Sequence, residues 1–180
     1  MPASGRRRVP GKNPVRTTNS AVKTNSKKLT TIRQGLQVAS PLITSVKDGV
    51  SAIKRQEQYV LHDSIRTEFD DSLDLDEATR VGRESQNRWD YLLGHSASKK
   101  IIGVEPHSAT NGEVSTVIAK KKASQLVLQS HVNAGVNVVS WNWVSSGTVG
   151  LVPIDKMRLR LAQNGITFVG RCLKKKHLPA

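Results

Sequence analysis

Residues 89–131 constrain the fold of this chain more than any other stretch. WDYLLG, a polar turn, KKIIGVEPHSA and then GEVSTVIAKKKASQLVLQSH read as a strand, a second strand and a helix. From Trp89 to Ala180 there are only four acidic residues, Asp90, Glu105, Glu113 and Asp155. Two of them, Asp90 and Glu105, fall inside the apolar runs of the two strands, where a carboxylate is costly to bury unless something pairs with it. Carboxylates held against that cost in a basic region point to a metal ion or a cationic partner.

Alternation places Trp89, Tyr91 and Leu93 on one face of the first strand, and Asp90 and Leu92 on the other. His95 to Lys99 make the turn. Residues 101–105 are nearly all apolar, as in a strand buried on both faces. Pro106 is expected to end that strand, because proline donates no ladder hydrogen bond. The helix opening at Asn111 or Gly112 carries Val114, Val117, Ile118, Leu126 and Val127 or Leu128 as its apolar stripe. Lys120, Lys121 and Lys122 sit mid-helix, so at least one must point inward or along the flank. Residues 136–144 alternate as a strand, with Ser146-Gly147 as a turn and 149–152 as a short extension. Asp155 is placed to cap a helix through Leu161 that closes at Asn164-Gly165. Residues 166–169 form a last strand. The result is an α/β domain, with a mixed central sheet of about four strands flanked by helices.

Charge extends the argument to partners. The net charge is +14 over 180 residues, which predicts a polyanionic partner such as nucleic acid. The excess is not confined to one end. Residues 1–62 carry 12 Lys/Arg against 2 Asp/Glu, residues 63–88 carry 4 against 8, and residues 89–180 carry 12 against 4. A single cysteine, Cys172, excludes an intramolecular disulfide and any zinc site with two thiolates. It suits a reducing, cytoplasmic or otherwise intracellular setting. No apolar run is long enough to span a membrane, and the first 30 residues lack the apolar segment of a secretory signal.

Composition divides the chain into a disordered basic arm over 1–28, a helical segment and acidic linker over 29–75, the α/β domain over 76–173 and a basic tail over 174–180. In the second segment Ile32, Leu36, Val38 and Ala39 precede Pro41, and Ile43, Val46, Val50, Ile53 and Tyr59 follow it. Both sets recur near helical spacing and predict two N-terminal helices joined near Ser40-Pro41. In the acidic block over 61–88, Asp76 and Glu77 are placed to start a helix running towards Arg88. That helix reads mainly as a solvated face, with Glu77 or Glu84 the groups that would reach a site.

Phosphodiester hydrolysis by a metal-dependent enzyme needs oxygen ligands for a hard cation and a positive group for the water or the developing charge. Paired as a hairpin, the two strands bring Asp90 and Glu105 to one end of the sheet, and His107, two positions on, points to the same face as Glu105. A carboxylate on one strand, a second on the next and a basic residue two positions later resembles the PD-(D/E)XK nuclease-like proteins. The matching residues are Asp90 and Glu105-Pro106-His107, followed by a helix with Lys120, Lys121 and Lys122, and the resemblance covers roughly residues 76–144. It implies a restriction-endonuclease-like core: a helix, a three-stranded meander, a helix and a strand. It also implies metal-dependent cleavage of DNA or RNA, with Asp90 and Glu105 holding Mg²⁺ or Mn²⁺, and His107 or Lys121 handling the water or the charge. His107 stands where the family has lysine; members that move the lysine to the following helix make Lys121 or a neighbour its substitute. Lys99, Lys100, Lys120, Lys122, Arg171, Lys174 and Lys175 are the expected phosphate contacts.

A different class stays open beside the enzyme: a non-catalytic basic nucleic-acid-binding protein on a degenerate nuclease fold. It predicts steep salt dependence and no effect of Mg²⁺ or Mn²⁺. In that case Asp90 pairs with Arg88 or Lys100, and Glu105 satisfies a buried lysine from the following helix. Trp141 and Trp143 read either as core or as a platform for bases, core being the commoner fate. A structural coat subunit with an internal basic arm ranks last, since the βα alternation argues against a jelly roll. Homodimerisation is left open.

Overall fold

Alternating apolar residues in successive segments produce an antiparallel meander. In the computed structural model, which describes Met1 and residues 31–150 and 155–180, β1 (Lys47–Asp48), β2 (Phe69–Asp74), β3 (Tyr91–His95) and β4 (Lys100–Ala109) pair antiparallel in succession. A long helix, Val114–Gln129, then leads to β5 (Val138–Val149), parallel to β4, and a shorter one, Asp155–Gln163, to β6 (Ile166–Gly170), parallel to β5. Two further helices are brief, α1 (Thr31–Gly35) and α2 (Leu75–Ala78), so the two longer ones are α3 and α4. The architecture is α/β, and the order of elements from β3 onward is the expected one. The sheet has six strands among the described residues, in the order β1 to β6, rather than about four. Apart from Met1, the expected basic arm lies outside the described residues, as do residues 151 and 152 of the expected extension and the side chain of Asp155.

The two unexpected strands come from the segment read as helix and linker. In β2, FDDSLD, the completely buried Asp71 does not behave as a solvated acid. Its carboxylate accepts the backbone N–H of Ile32 at 3.0 and 2.9 Å and that of Arg33 at 3.1 Å, at the start of α1. Such charge-assisted bonds offset the desolvation of the acid. Gly94 lies opposite Asp71 on β3, and a Cβ there would sit 2.0 Å from Asp71 Oδ1 and 2.8 Å from Thr31 Cβ. Only glycine leaves the carboxylate room to reach the helix.

Two long N-terminal helices do not form. Beyond α1 the chain makes single 3₁₀ turns at Pro41–Ser45, Arg55–Val60 and Asp63–Glu68. The apolar residues serve opposite faces of the sheet: Ile32, Leu36, Leu42 and Val46 join one core, Ile53, Val60, Leu61 and Ile65 the other. The chain therefore has to round the sheet edge near β1, which a continuous helix cannot do. α2 is likewise four residues long, capped by Asp74, whose carboxylate accepts Glu77 N–H at 2.9 Å.

One core layer lies under α1, α3 and α4 and contains Leu73, Leu92, Ile101, Trp141 and Trp143. The other, with Tyr91, Leu93, Ile102, Val104 and Val144, is covered by the 3₁₀ turns at Arg55–Val60 and Asp63–Glu68 and by Leu173 of the C-terminal segment. Trp89 precedes β3 and packs with Leu92, not with Tyr91 and Leu93, its ring edge-on to Trp141 at 5.0 Å. Gly103 makes this crowding possible: a Cβ would lie 2.9 Å from the Trp141 ring and 3.0 Å from Trp89 Nε1. Both Trp141 and Trp143 are buried, so neither serves as a platform for bases. On α3 the stripe is Val114, Val117, Ile118, Ser124 and Leu128, and Leu126 points outward at 68% exposure. Pro106 does not end β4. Pairing with β3 stops at Tyr91↔Val104, so beyond it β4 pairs only with β5, and a proline costs the other side no ladder bond. No helix among the described residues is long and apolar enough to cross a membrane.

Candidate active site

The continuation of β4 past Pro106 sets the site. Side chains at alternate positions share a face, so Ile101, Gly103, Glu105 and His107 all point towards the helical layer. Asp90 does so from the first residue before β3, and its N–H donates to Glu105 Oε2 at 3.0 Å. Above them, Glu113, which caps α3, and then Val117, Lys120 and Ser124 along α3 follow one another at helical spacing. Ser124 Oγ accepts Trp89 N–H at 2.8 Å, which ties this row to the start of β3. Lys120 then lands between the two carboxylates. Its Nζ donates to Asp90 Oδ1 at 3.1 Å and to Glu105 Oε1.

The chain of polar contacts continues through His107. Its Nδ1 lies 3.7 Å from Glu105 Oε1, and its Nε2 is 2.8 Å from Glu113 Oε2. The His107 carbonyl accepts Trp143 Nε1–H at 3.2 Å, anchoring the strand beneath. On the opposite face of the sheet the Tyr91 hydroxyl donates to Glu57 and accepts Lys54 N–H at 3.3 Å.

Burial governs the electrostatics. Glu105 is 0% exposed, and its carboxyl is raised well above the ordinary range, first by burial and then by the Asp90 charge, with Lys120 opposing. Asp90 is raised by burial, partly offset by Lys120. Burial pushes the Lys120 ammonium down, but the Glu105 and Asp90 carboxylates outweigh it and raise the group. The hydrogen bond from His107 holds Glu113 below the usual carboxylate range. Solvent reaches the cluster from one side, since the side chains of Asp90 and Lys120 keep 22% and 18% of their exposure.

Of the residues expected at the site, Asp90, Glu105, His107 and Lys120 come together, and Lys121 does not. One position along the helix turns Lys121 by about 100°. Its Nζ donates to the carbonyls of Asn164 and Gly165 after α4 and lies 5.8 Å from the centre of the Trp141 ring. Its expected catalytic role is therefore corrected: Lys121 ties α3 to the turn before β6, and the inward lysine is Lys120. Lys99 and Lys100 lie at the opposite end of β3 and β4, roughly 17–20 Å away along the strand. Lys99 pairs with Asp70 at 2.7 Å, and Lys100 donates to Ala180 O at 3.0 Å. Lys122, Arg171, Lys174 and Lys175 are exposed. Glu77 pairs with Arg80 at 2.9 Å, Glu84 accepts Gly82 N–H at 3.0 Å, and Arg88 holds Asp76 at 2.7 Å rather than Asp90. Glu113 was not expected near the site. Helical spacing links it to Lys120.

No family model, curated protein or solved structure matches this chain. The chemistry must be argued from the residues themselves. Two carboxylates, an ammonium and an imidazole at the end of a sheet suit the handling of a phosphoryl group. The two carboxylates are hard oxygen donors of the kind Mg²⁺ or Mn²⁺ takes one or two at a time, completing its shell from water and phosphate. Among the described residues no three His, Cys, Asp or Glu side chains converge to hold an ion by themselves.

Proposed function

We propose that this protein is a nuclease-like enzyme of the PD-(D/E)XK type, acting on phosphodiester bonds of nucleic acid. The observation that carries the reading is the placement of Lys120 from α3 between Asp90 and Glu105. That is the arrangement expected when the lysine of the motif has moved to the following helix and His107 occupies its usual position. The β2–β3–β4 meander, α3 and the parallel β5 then correspond to the restriction-endonuclease-like core, with α2 or the preceding turns in place of its first helix. In this reading Asp90 and Glu105 would hold Mg²⁺ or Mn²⁺, which when bound would supply Lewis-acid polarisation of a phosphate oxygen. Lys120 stabilises charge developing on that oxygen, and His107 orients a water. The net charge of +14 draws a polyanion to the surface, where exposed Lys122, Arg171, Lys174 and Lys175 take phosphates.

A second reading is favoured by one observation: both oxygens of the sealed Glu105 are already engaged, by Lys120 and by Asp90 N–H. A cluster closed in this way suits a non-catalytic nucleic-acid binder. Cleavage of plasmid DNA and structured RNA with Mn²⁺ separates the two. Cutting that needs the metal and disappears in Asp90→Asn and Glu105→Gln supports the enzyme. Salt-sensitive binding without cutting, indifferent to the metal, supports the binder and refutes the enzyme.

A further inference from the structure

After Glu113 the chain holds ten Lys/Arg against a single acid, Asp155, and the nine residues of α4 carry three of those ten. Of this helix, Met157 and Leu161 turn to the core, one turn apart. At about 100° per residue, Leu159, Ala162 and Gln163 then form the outward line. Lys156 and Arg160 run along one flank of it and Arg158 along the other. All six are exposed, Leu159 at 58%. Before α3, Arg33, Arg88 and Lys99 each hold a carboxylate. Lys156, Arg158 and Arg160 make no such pair among the described residues. An exposed helix with an apolar crest and unpaired cations on both sides suits a partner that presents negative charge on both sides of a trough.

We infer that α4 enters the major groove of duplex DNA, with Lys156 and Arg160 on the phosphates of one strand, Arg158 on those of the other, and Leu159 and Gln163 towards the base edges. Width decides for this partner. A helix with its side chains is about 10–12 Å across, and the major groove of B-form DNA is about 12 Å wide. The major groove of an RNA duplex is too deep and narrow for side chains to read, and a single strand offers phosphates to one flank only. Nine residues of helix extend about 13 Å, enough to cross the groove. α4 also opens at the end of the sheet where β4 and β5 finish, the end that carries Asp90 and Glu105. Docking of this kind rests on the nucleic-acid reading above, and fixes its partner as duplex DNA and its surface as α4.

Binding of the full chain to a short mixed-sequence DNA duplex, followed by fluorescence anisotropy over a salt series in EDTA, tests this with no cutting involved. Arg158→Gln with Arg160→Gln, one from each flank, should lower the slope of log K against log salt by about 2. Binding near physiological salt should weaken at least about tenfold. Lys47→Gln with Arg55→Gln removes the same charge from β1, at the opposite edge of the sheet, and from a 3₁₀ turn. That pair should shift the slope by less than about 1. On an RNA duplex or single-stranded DNA of the same sequence the two double variants should behave alike. Glutamine has nearly the helix propensity of arginine, so Tm should not move; if it does, Lys156→Gln with Arg158→Gln repeats the test. Equal effects of the two double variants on duplex DNA would mean that net charge alone matters. Equal effects of the α4 variant on all three ligands would mean a basic face that enters no groove. Either overturns the inference and leaves nucleic-acid binding standing, whereas a wild type that binds none of the three sinks that reading as well.

Discussion

Replacing Lys120 with methionine tests the buried cluster directly. Methionine has nearly the same length and helix propensity, so the change removes the ammonium and little else. The ammonium lies 3.1 Å from Asp90 Oδ1 and in direct contact with Glu105 Oε1, and Glu105 has no exposed surface. Removing one partner of such a group leaves a buried charge uncompensated and costs about 3–5 kcal/mol. For a domain of this size that corresponds to a fall in Tm of roughly 6–20 °C. The variant has one escape, which is to protonate Glu105. Burial and Asp90 already raise that carboxyl well above its ordinary range, and loss of Lys120 raises it further. An acid raised in the folded state binds its proton more tightly there. Its stabilisation is fully present below the unfolded pKa of about 4.3 and is lost as pH rises through the folded value. The penalty of Lys120→Met relative to wild type should thus be smaller near pH 5 than at alkaline pH, growing by up to about 1.4 kcal/mol per unit as the raised carboxyl loses its proton. Urea unfolding at the two pH values measures it. The double variant Glu105→Gln with Lys120→Met should regain at least about half of the loss. A penalty under about 1 kcal/mol, or one equal at both pH values, would refute the argument that Lys120 is what makes the burial of Glu105 tolerable.

Three further outcomes follow from the packing and the charge. Gly94→Ala places a methyl group 2.0 Å from Asp71 Oδ1, so it should cost about 3 kcal/mol in urea unfolding. Asp71→Asn weakens three backbone contacts at the start of α1 and should lose about 2–3 kcal/mol, with faster hydrogen exchange at Ile32 and Arg33. Lys121→Met should reduce stability by about 1 kcal/mol while leaving nucleic-acid cleavage or binding unchanged, since its ammonium serves the turn after α4.

The α/β order from β3 onward was readable because apolar runs and turn residues in that half agree with each other. The αL turn at Gly165, with φ of 60°, ends α4 where Asn164-Gly165 indicated. The first half misled for a physical reason. Carboxylates and helical spacing argued for solvated helices, yet Asp71 is buried on backbone amides and the apolar residues divide between two faces of one sheet. Pro106 misled because the rule against proline in a strand applies where the missing N–H would face a paired neighbour, and on one side of Pro106 the pairing with β3 has already ended. The carboxylate pair of the site was legible from two acids inside apolar runs. Which of three consecutive lysines serves it was not, because a turn of about 100° per residue makes the choice depend on the phase of α3 over the sheet. That phase is set by Val117 and Ser124, and a serine in an apolar stripe carries no signal until its contact with Trp89 N–H is seen.

Two buried acids thus meet the same cost in different ways, and the difference bears on function. Asp71 faces the backbone of α1, and its role is accounted for by the helix start it holds and by the glycine opposite. Glu105 instead faces a lysine, and through it Asp90, whose side chain keeps 22% of its exposure. Stability alone does not explain the second arrangement. Apolar residues of similar volume in place of a buried ion cluster are often neutral or stabilising by about 1–4 kcal/mol. A chain selected only to fold could fill the space under α3 more simply. What the charged version adds is a restrained carboxylate pair, with a cation at fixed distance, open to solvent on one side and continued outward by His107 and Glu113. Those are the requirements of a group that must be pre-positioned and yet reachable by a phosphate. This is why Asp90, Glu105 and Lys120, rather than Asp71, are the residues on which a functional proposal rests.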